Sequence, residues 1–269
     1  MNETNELIAN RIVIKVGTST LTHDGGELNF RSFDKLALAL SDIQNRGWEV
    51  ILVSSGAIAV GAHKMRLPER PKELRFKQAA AAVGQCELMH LYDKFFSEYG
   101  KTVGQILLTA DDIEHEERKL NLINTFDSLL EMGIIPIVNE NDSVSYVEIE
   151  SEHKVFGDND TLSAIVAVLC RAKILVLLSD IEGLYESDPR ENPNARLIRE
   201  IRKIDDEIRA LAGGAGSDRG TGGMITKLQA AEIAMARGID MVITNGQHPE
   251  RILDIIEGKP VGTLFVGKK

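Results

Sequence analysis

Five short segments of the chain combine residue types that suit chemistry on a phosphate or a carboxylate. In Lys15-Val16-Gly17-Thr18-Ser19 an apolar run ends in a cation and small residues, whose backbone N–H groups are open to an anion. Ser54-Ser55-Gly56-Ala57 closes a second apolar run with hydroxyls and a turn. Asn139-Glu140-Asn141-Asp142 and Gly157-Asp158-Asn159-Asp160 are polar clusters that open and close one irregular stretch, as a clamp on a polar ligand would. In Gly220-Thr221-Gly222-Gly223-Met224-Ile225-Thr226-Lys227, bare backbone runs into a helix with a lysine one turn inside it. A helix N-terminus with an ammonium group suits the phosphates of a nucleotide.

Each segment alone has a plainer alternative. A lysine before glycine is commonly a solvated strand end, a serine after a strand caps the next helix, and aspartates at a helix start satisfy its N–H groups and dipole. Familiar motifs are excluded by spacing. The Asn/Asp stretch lacks the sixth-position glycine and twelfth-position glutamate of a calcium loop. The last segment is not a Walker A loop, and Ile225 stands where the dinucleotide fingerprint needs its final glycine. His23, His63, His90, His115, His153 and His248 form no spaced cluster.

The elements that must position these segments alternate. Arg11–Val16 reads as a strand, followed by a Gly17-Thr18-Ser19 turn and a helix with apolar positions Phe33, Leu36, Ala37, Leu40 and Ile43, ended by Gly47. Glu49–Ser54 is a second strand, which makes the opening a βαβ unit. A long helix is expected from near Pro71 to Tyr99, then strands at Thr102–Leu108 and Ile134–Val138 flanking a helix that ends at Gly133. A hairpin is expected around Val144–Ile149, a helix at Leu162–Arg171, and a strand buried on both faces at Ile174–Leu178. The second half continues with a helix from Met224 to Arg237, a strand at Met241–Thr244, a helix near Pro249–Glu257 and a short strand around Leu264.

Composition narrows the class of protein. Hydrophobic residues make up 43% of the 269, yet aromatics only 5%, so the core rests on aliphatic side chains, the usual filling of a parallel sheet between helices. With 41 acidic and 31 basic residues the formal charge is −10, which repels nucleic acid and anionic membranes. An anionic substrate therefore needs a local positive site, and Lys15 and Lys227 are the candidates. Cys86 and Cys170 read as small buried hydrophobes in apolar helices. Met1–Asn10 lacks an apolar h-region and no segment reaches the ~20 apolar residues of a membrane span, so a cytoplasmic location is expected.

Taken in chain order, Ile14-Lys15-Val16-Gly17-Thr18-Ser19, Ser54-Ser55-Gly56-Ala57-Ile58, the two Asn/Asp tetrads and the 220–227 segment resemble the glutamate 5-kinase branch of the amino-acid kinase family. Asp188-Pro189-Arg190 after Gly183-Leu184-Tyr185, and Gly262-Thr263-Leu264-Phe265, extend the resemblance over nearly the whole chain. It implies an α/β fold, a three-layer α/β/α sandwich around a mostly parallel sheet. A single domain over 1–269 is implied, with residues 1–172 binding the amino acid and 173–269 the nucleotide. Many members carry a C-terminal PUA domain, which this chain is expected to lack.

The implied activity is ATP-dependent phosphorylation of the γ-carboxylate of L-glutamate to L-glutamyl 5-phosphate, the first step of proline biosynthesis, with Mg²⁺ held mainly by the ATP phosphates. By the same resemblance Lys15 and Lys227 flank the transferred group and Asp160 orients them. Ser55, Asp142 and Asn159 hold glutamate, while Lys15, Ser179, Asp180 and residues Thr221, Gly222, Gly223, Met224, Ile225, Thr226 and Lys227 meet the nucleotide. Ser179 stands where the family often has Thr, which keeps the hydroxyl. Relatives imply a homo-oligomer, dimer or tetramer, a link to glutamyl phosphate reductase, and inhibition by proline. A sister kinase acting on acetylglutamate, aspartate, carbamate or UMP, or a nucleotide- or amino-acid sensor without turnover, stays open.

Overall fold

The computed structural model describes residues 6–23, 26–144, 158–189, 191–212 and 221–268. Gly157, Arg190, the Gly213–Gly220 run and the expected hairpin from 145 onward lie outside them. The chain opens with β1 (Ile8–Val16), a one-turn helix α1 (Thr18–Leu21), α2 (Phe30–Asn45) and β2 (Glu49–Ser54). α3 (Ala57–Lys64), α4 (Leu74–Glu98), β3 (Val103–Leu108), α5 (Ala110–Glu114), α6 (Glu116–Glu131) and β4 (Ile135–Glu140) follow. Next come α7 (Asn159–Leu169), β5 (Ala172–Ser179), β6 (Glu200–Ile201), α8 (Asp206–Ala212), α9 (Thr221–Ala236), β7 (Asp240–Asn245), α10 (Arg251–Ile256) and β8 (Thr263–Phe265).

The strands form one sheet in the order β3-β4-β2-β1-β5-β7-β8-β6, parallel throughout except between β7 and β8. Successive side chains along a strand point to opposite faces, so the central strands feed two cores. Val13, Leu175 and Leu177 pack with Phe126 of α6, Leu162 of α7 and Ala231 of α9. Ile12, Ile14, Val176 and Leu178 pack with Leu36 of α2, Leu88 of α4 and Ile252 of α10. The expected three-layer sandwich results. By the same alternation Lys15 shares the face of Val13, toward α7 and α9.

No break in the sheet falls at Ala172, because β5 begins there and pairs with β1, Val13 beside Leu175. The chain builds β2, β4 and β3 on one side of β1 and then returns to lay β5 on the other. The carboxyl end of β1 is thus a topological switch point, where open α/β sheets form their ligand crevice.

Several elements differ from expectation. Pro71 precedes α4, whose N-cap is Glu73 in an extended conformation. A proline fixes its own φ and extends its predecessor, so it suits a lead-in as well as a first turn. The single helix expected between β3 and β4 is two: a reciprocal capping box of Thr109 and Asp112 starts α5, and His115 leaves helical geometry at ψ 113° and divides it from α6. Gly17 caps the one-turn α1 in place of a plain turn. Helix α7 starts at Asn159, because Asp158 Oδ1 accepts from the N–H groups of Asp160 and Thr161 at 2.8 and 2.9 Å. Cys170 is buried, but Cys86 is exposed.

Helices α3 and α4 cross in backbone contact. A Cβ on Gly61 would lie 1.8 Å from the carbonyl oxygen of Ala80, and one on Gly84 would lie 1.8 Å from that of Ala57. Gly258 offers a contrast, since its φ of +77° favours glycine but a Cβ there would meet no atom within 4 Å. Gly84→Ala is expected to cost at least about 2 kcal/mol of unfolding free energy through overpacking, and Gly258→Ala about 1 kcal/mol through φ alone. Urea denaturation of the two variants checks the order.

Candidate functional site

Crossover helices that link parallel strands must start at the edge where the strands end. Lys15 near the end of β1, Ser55 after β2, Asp142 after β4 and Ser179 at the end of β5 therefore share an edge with the first turns of α7 and α9. Thr221, Gly222 and Gly223 open α9, with Met224 packed against the core and Ile225 exposed.

Asp160, in the first turn of α7, is 3% exposed. Its Oδ1 lies 2.6 Å from Lys15 Nζ and its Oδ2 lies 3.0 Å from Lys227 Nζ. Lys15 and Lys227 are 9% and 8% exposed, so the three charges form one buried cluster with a net positive charge. The Thr226 hydroxyl donates to Asp160 Oδ2 at 2.9 Å, and Lys227 Nζ also donates to the Gly223 carbonyl at 3.0 Å. Burial pushes the Asp160 carboxyl up, but Lys15 and then Lys227 outweigh it and hold it below its ordinary value. Two acids of one tetrad thus divide their work, Asp158 capping α7 and Asp160 bridging the lysines.

A second polar cluster lies beside it. Asn159 Nδ2 reaches Ser55 Oγ at 2.7 Å, Asn139 Oδ1 at 3.1 Å and the Ser54 carbonyl at 3.2 Å. Asn139 Nδ2 donates in turn to Gln85 Oε1 at 3.0 Å. The Tyr92 hydroxyl meets Ser54 Oγ at 2.7 Å. Gln85 and Tyr92 stand two turns apart on α4 and tie the ends of β2 and β4 to that helix. A cavity of about 420 Å³ opens here, lined among others by Ala57, Gln85, Cys86, Met89, Glu140 and Asp142. The Asp142 carboxyl is pushed up to about 6, first by burial and then by Glu140, with Arg70 opposing.

Of the sequence-derived candidates, Lys15, Asp160, Thr226 and Lys227 meet directly, and Ser55 meets Asn159. Ser179 donates to Asp180 Oδ1 at 3.0 Å at the end of β5, and no bond joins this pair to the lysine cluster among the described residues. Gln85 and Tyr92 were not singled out from the sequence. Their signal is faint: polar groups among the apolar residues Ala81, Leu88 and Leu91 on the buried face of a helix.

The amino acid kinase family profile matches residues 10–245. A glutamate 5-kinase from Clostridium perfringens is 57% identical over 259 residues, 96% of this chain and 96% of the relative. The chain belongs to the amino acid kinase family, in its glutamate 5-kinase branch. A second such kinase, from Listeria welshimeri, is also 57% identical, over 96% of this chain and 94% of the relative. Among solved structures, a carbamate kinase from Giardia lamblia bound to AMP-PNP superposes with a TM-score of 0.68 at 16% identity, covering 97% of this chain and 100% of that one. An isopentenyl phosphate kinase does so with a TM-score of 0.63 at 20% identity, covering 94% of this chain and 99% of its own. These two place the eight-stranded sheet and its helices in the fold of the family.

Asp160→Ala removes the anion between two buried cations, a loss that typically costs about 3 kcal/mol or more. Urea unfolding at pH 7 is expected to show that deficit. Because a carboxyl with a lowered pKa stabilises above its unfolded value and stops doing so as pH falls, the gap between parent and variant should shrink in acid.

Proposed function

We propose that this protein transfers the γ-phosphoryl group of ATP to the γ-carboxylate of L-glutamate, giving L-glutamyl 5-phosphate for proline biosynthesis. The observation that carries the reading is the buried Lys15–Asp160–Lys227 bridge beside a cavity with an acidic rim. The glutamate 5-kinase relatives support the choice of acceptor.

A glutamate side chain with a pKa of about 4.3 is ionised near neutral pH, so its oxygen attacks phosphorus without a general base. The new O–P bond forms as the bond to the β,γ-bridging oxygen breaks, and ADP leaves. The obstacle is repulsion between two anions. Lys15 and Lys227 answer it from fixed positions, because Asp160 already holds both ammonium groups and no reorganisation is needed as charge shifts in the transition state. In this assignment Ser179, Asp180 and the first turn of α9 receive the nucleotide. Ser55, Asn159 and Asp142 receive the amino acid, with Asp142 on its α-ammonium.

Mg²⁺ carried on the ATP phosphates fits this edge. Among the described residues Asp158 Oδ2 is buried without a hydrogen-bond partner, a hard oxygen that would hold the ion through a bound water. When bound, the ion supplies further positive charge to the phosphoryl oxygens. The proposal extends to a cytoplasmic homo-oligomer that passes its labile acyl phosphate to a glutamyl phosphate reductase. No helix among the described residues is long and apolar enough to cross a membrane.

Purified protein with ATP and L-glutamate should yield a hydroxamate on trapping with hydroxylamine; no hydroxamate with glutamate, but one with another acid, would reassign the acceptor. Lys15→Ala and Lys227→Ala are each expected to lower kcat about a hundredfold or more with the fold retained, read by the same assay and by circular dichroism. Near-normal turnover in either would remove that lysine from the transition state. If Asp142 must be ionised to hold the ammonium group, kcat/KM for glutamate should fall about tenfold per pH unit below about pH 6. Asp142→Asn should raise KM for glutamate and abolish that inflection.

A further inference from the structure

The amide side chains of Asn159, Asn139 and Gln85 form a chain with a fixed direction. The Ser54 backbone carbonyl can only accept, so the Asn159 group 3.2 Å from it must be Nδ2. Asn159 Nδ2 then also donates to Asn139 Oδ1 at 3.1 Å, which turns Asn139 Nδ2 toward Gln85 Oε1 at 3.0 Å. Asn139 is 2% exposed and Gln85 8%, so reversing an amide would set like groups against each other with little water to relieve them. The direction leaves Asn159 Oδ1 at one end and Gln85 Nε2 at the other, and neither has a partner among the described residues. Gln85 lines the same cavity as Asp142 and Glu140.

We infer that Gln85 is a specificity-determining residue whose Nε2 donates to the α-carboxylate of the acceptor amino acid, with Asn139 and the Ser54 carbonyl fixing which end of its amide faces the cavity. The inference rests on the acceptor reading given above. An amino acid presents one cationic and one anionic group at its α-carbon. Asp142 offers the cavity an acceptor for the first, and Gln85 Nε2 offers a donor for the second. Glu140 and Asp142 bring negative charge to the lining, and among its polar residues Gln85 is the one whose donor is aimed by a chain of buried amides, so it decides how that carboxylate lies. A donor that bonds an anion favours a carboxylate over a carboxamide of the same shape, so Gln85 separates L-glutamate from its α-amide, L-isoglutamine, which carries the same γ-carboxylate.

The test compares kcat/KM for L-glutamate and L-isoglutamine at pH 8 in the parent, Gln85→Glu and Gln85→Met, with KM for ATP as the check on the rest of the site. Gln85→Glu keeps the acceptor for Asn139 and replaces the donor by an oxygen. The preference for glutamate over isoglutamine should fall at least about tenfold in it, with the loss in KM for glutamate and KM for ATP within about twofold of the parent. Gln85→Met keeps the bulk without either polar group and should narrow the preference in the same direction, which keeps the test open if the glutamate variant does not fold. Parallel losses on both acceptors in the folded variants, with the ratio unmoved, would overturn the inference and leave the kinase reading intact. A parent that makes no acyl phosphate from L-glutamate would overturn the acceptor reading, and this inference with it.

Discussion

A carboxylate placed between two buried ammonium groups is the constraint on which the rest of this molecule depends. Lys15 and Lys227 sit on elements at opposite ends of the chain, one at the end of β1 and one in α9, and each is largely withdrawn from water. Two such cations repel each other and each prefers solvent. Asp160 makes their approach tolerable, and it can do so only because α7 begins beside the end of β1. That placement requires the sheet to reverse its order at β1, so the topology and the charge cluster are one requirement seen at two scales. The cluster still carries excess positive charge, which suits a polyphosphate in a protein of net charge −10.

The cavity against α4 depends on a different contact, steric rather than electrostatic. Gly61 and Gly84 let α3 and α4 meet backbone to backbone, and Gln85 is the next residue along. A side chain at either glycine would move α4 away, and with it the donor that lines the cavity and the Tyr92 hydroxyl that holds Ser54. Close helix packing fixes where the polar atoms of α4 stand, as directed hydrogen bonding to a small ligand needs.

Much of this was legible in the sequence, and the parts that were not have physical causes. β2 ran from Glu49 to Ser54 as read, and β5 announced itself as an unbroken aliphatic run because it is buried on both faces. The break at His115 was missed because no glycine or proline marks it: one residue leaves helical geometry and α6 resumes at once at Glu116. The catalytic candidates were legible as types, not as a set. Strand β1 carries two buried cations, and only Lys15 is followed by the small residues of a Gly17-Thr18-Ser19 turn. Arg11 is spent on structure, held by Glu49 at 2.6 Å, Asp127 at 2.8 Å and the Cys170 carbonyl at 2.8 Å. Lys15 has Asp160 alone as its ion partner among the described residues. That turn and the likeness to a known family both pointed to Lys15 over Arg11; the packing gives the reason.

The pair of Gln85 and Cys86 shows where pattern reading reaches its end. Hydrophobic periodicity assigns a residue to the inner or outer side of a helix by averaging over turns, so a free thiol in an apolar helix reads as core. Cys86 is exposed because a cavity opens against that part of α4, and a cavity leaves no mark on periodicity. Gln85 suffers the opposite error: a buried glutamine among alanines and leucines looks like a tolerated exception. Its partner on the far side, Asn139, is distant in sequence, and a buried amide is stable only where such a partner satisfies it. Each polar group on a buried helix face therefore demands a match elsewhere in the chain. Following that demand from Gln85 through Asn139 and Asn159 to a backbone carbonyl turns an apparent exception into a fixed orientation at the cavity wall.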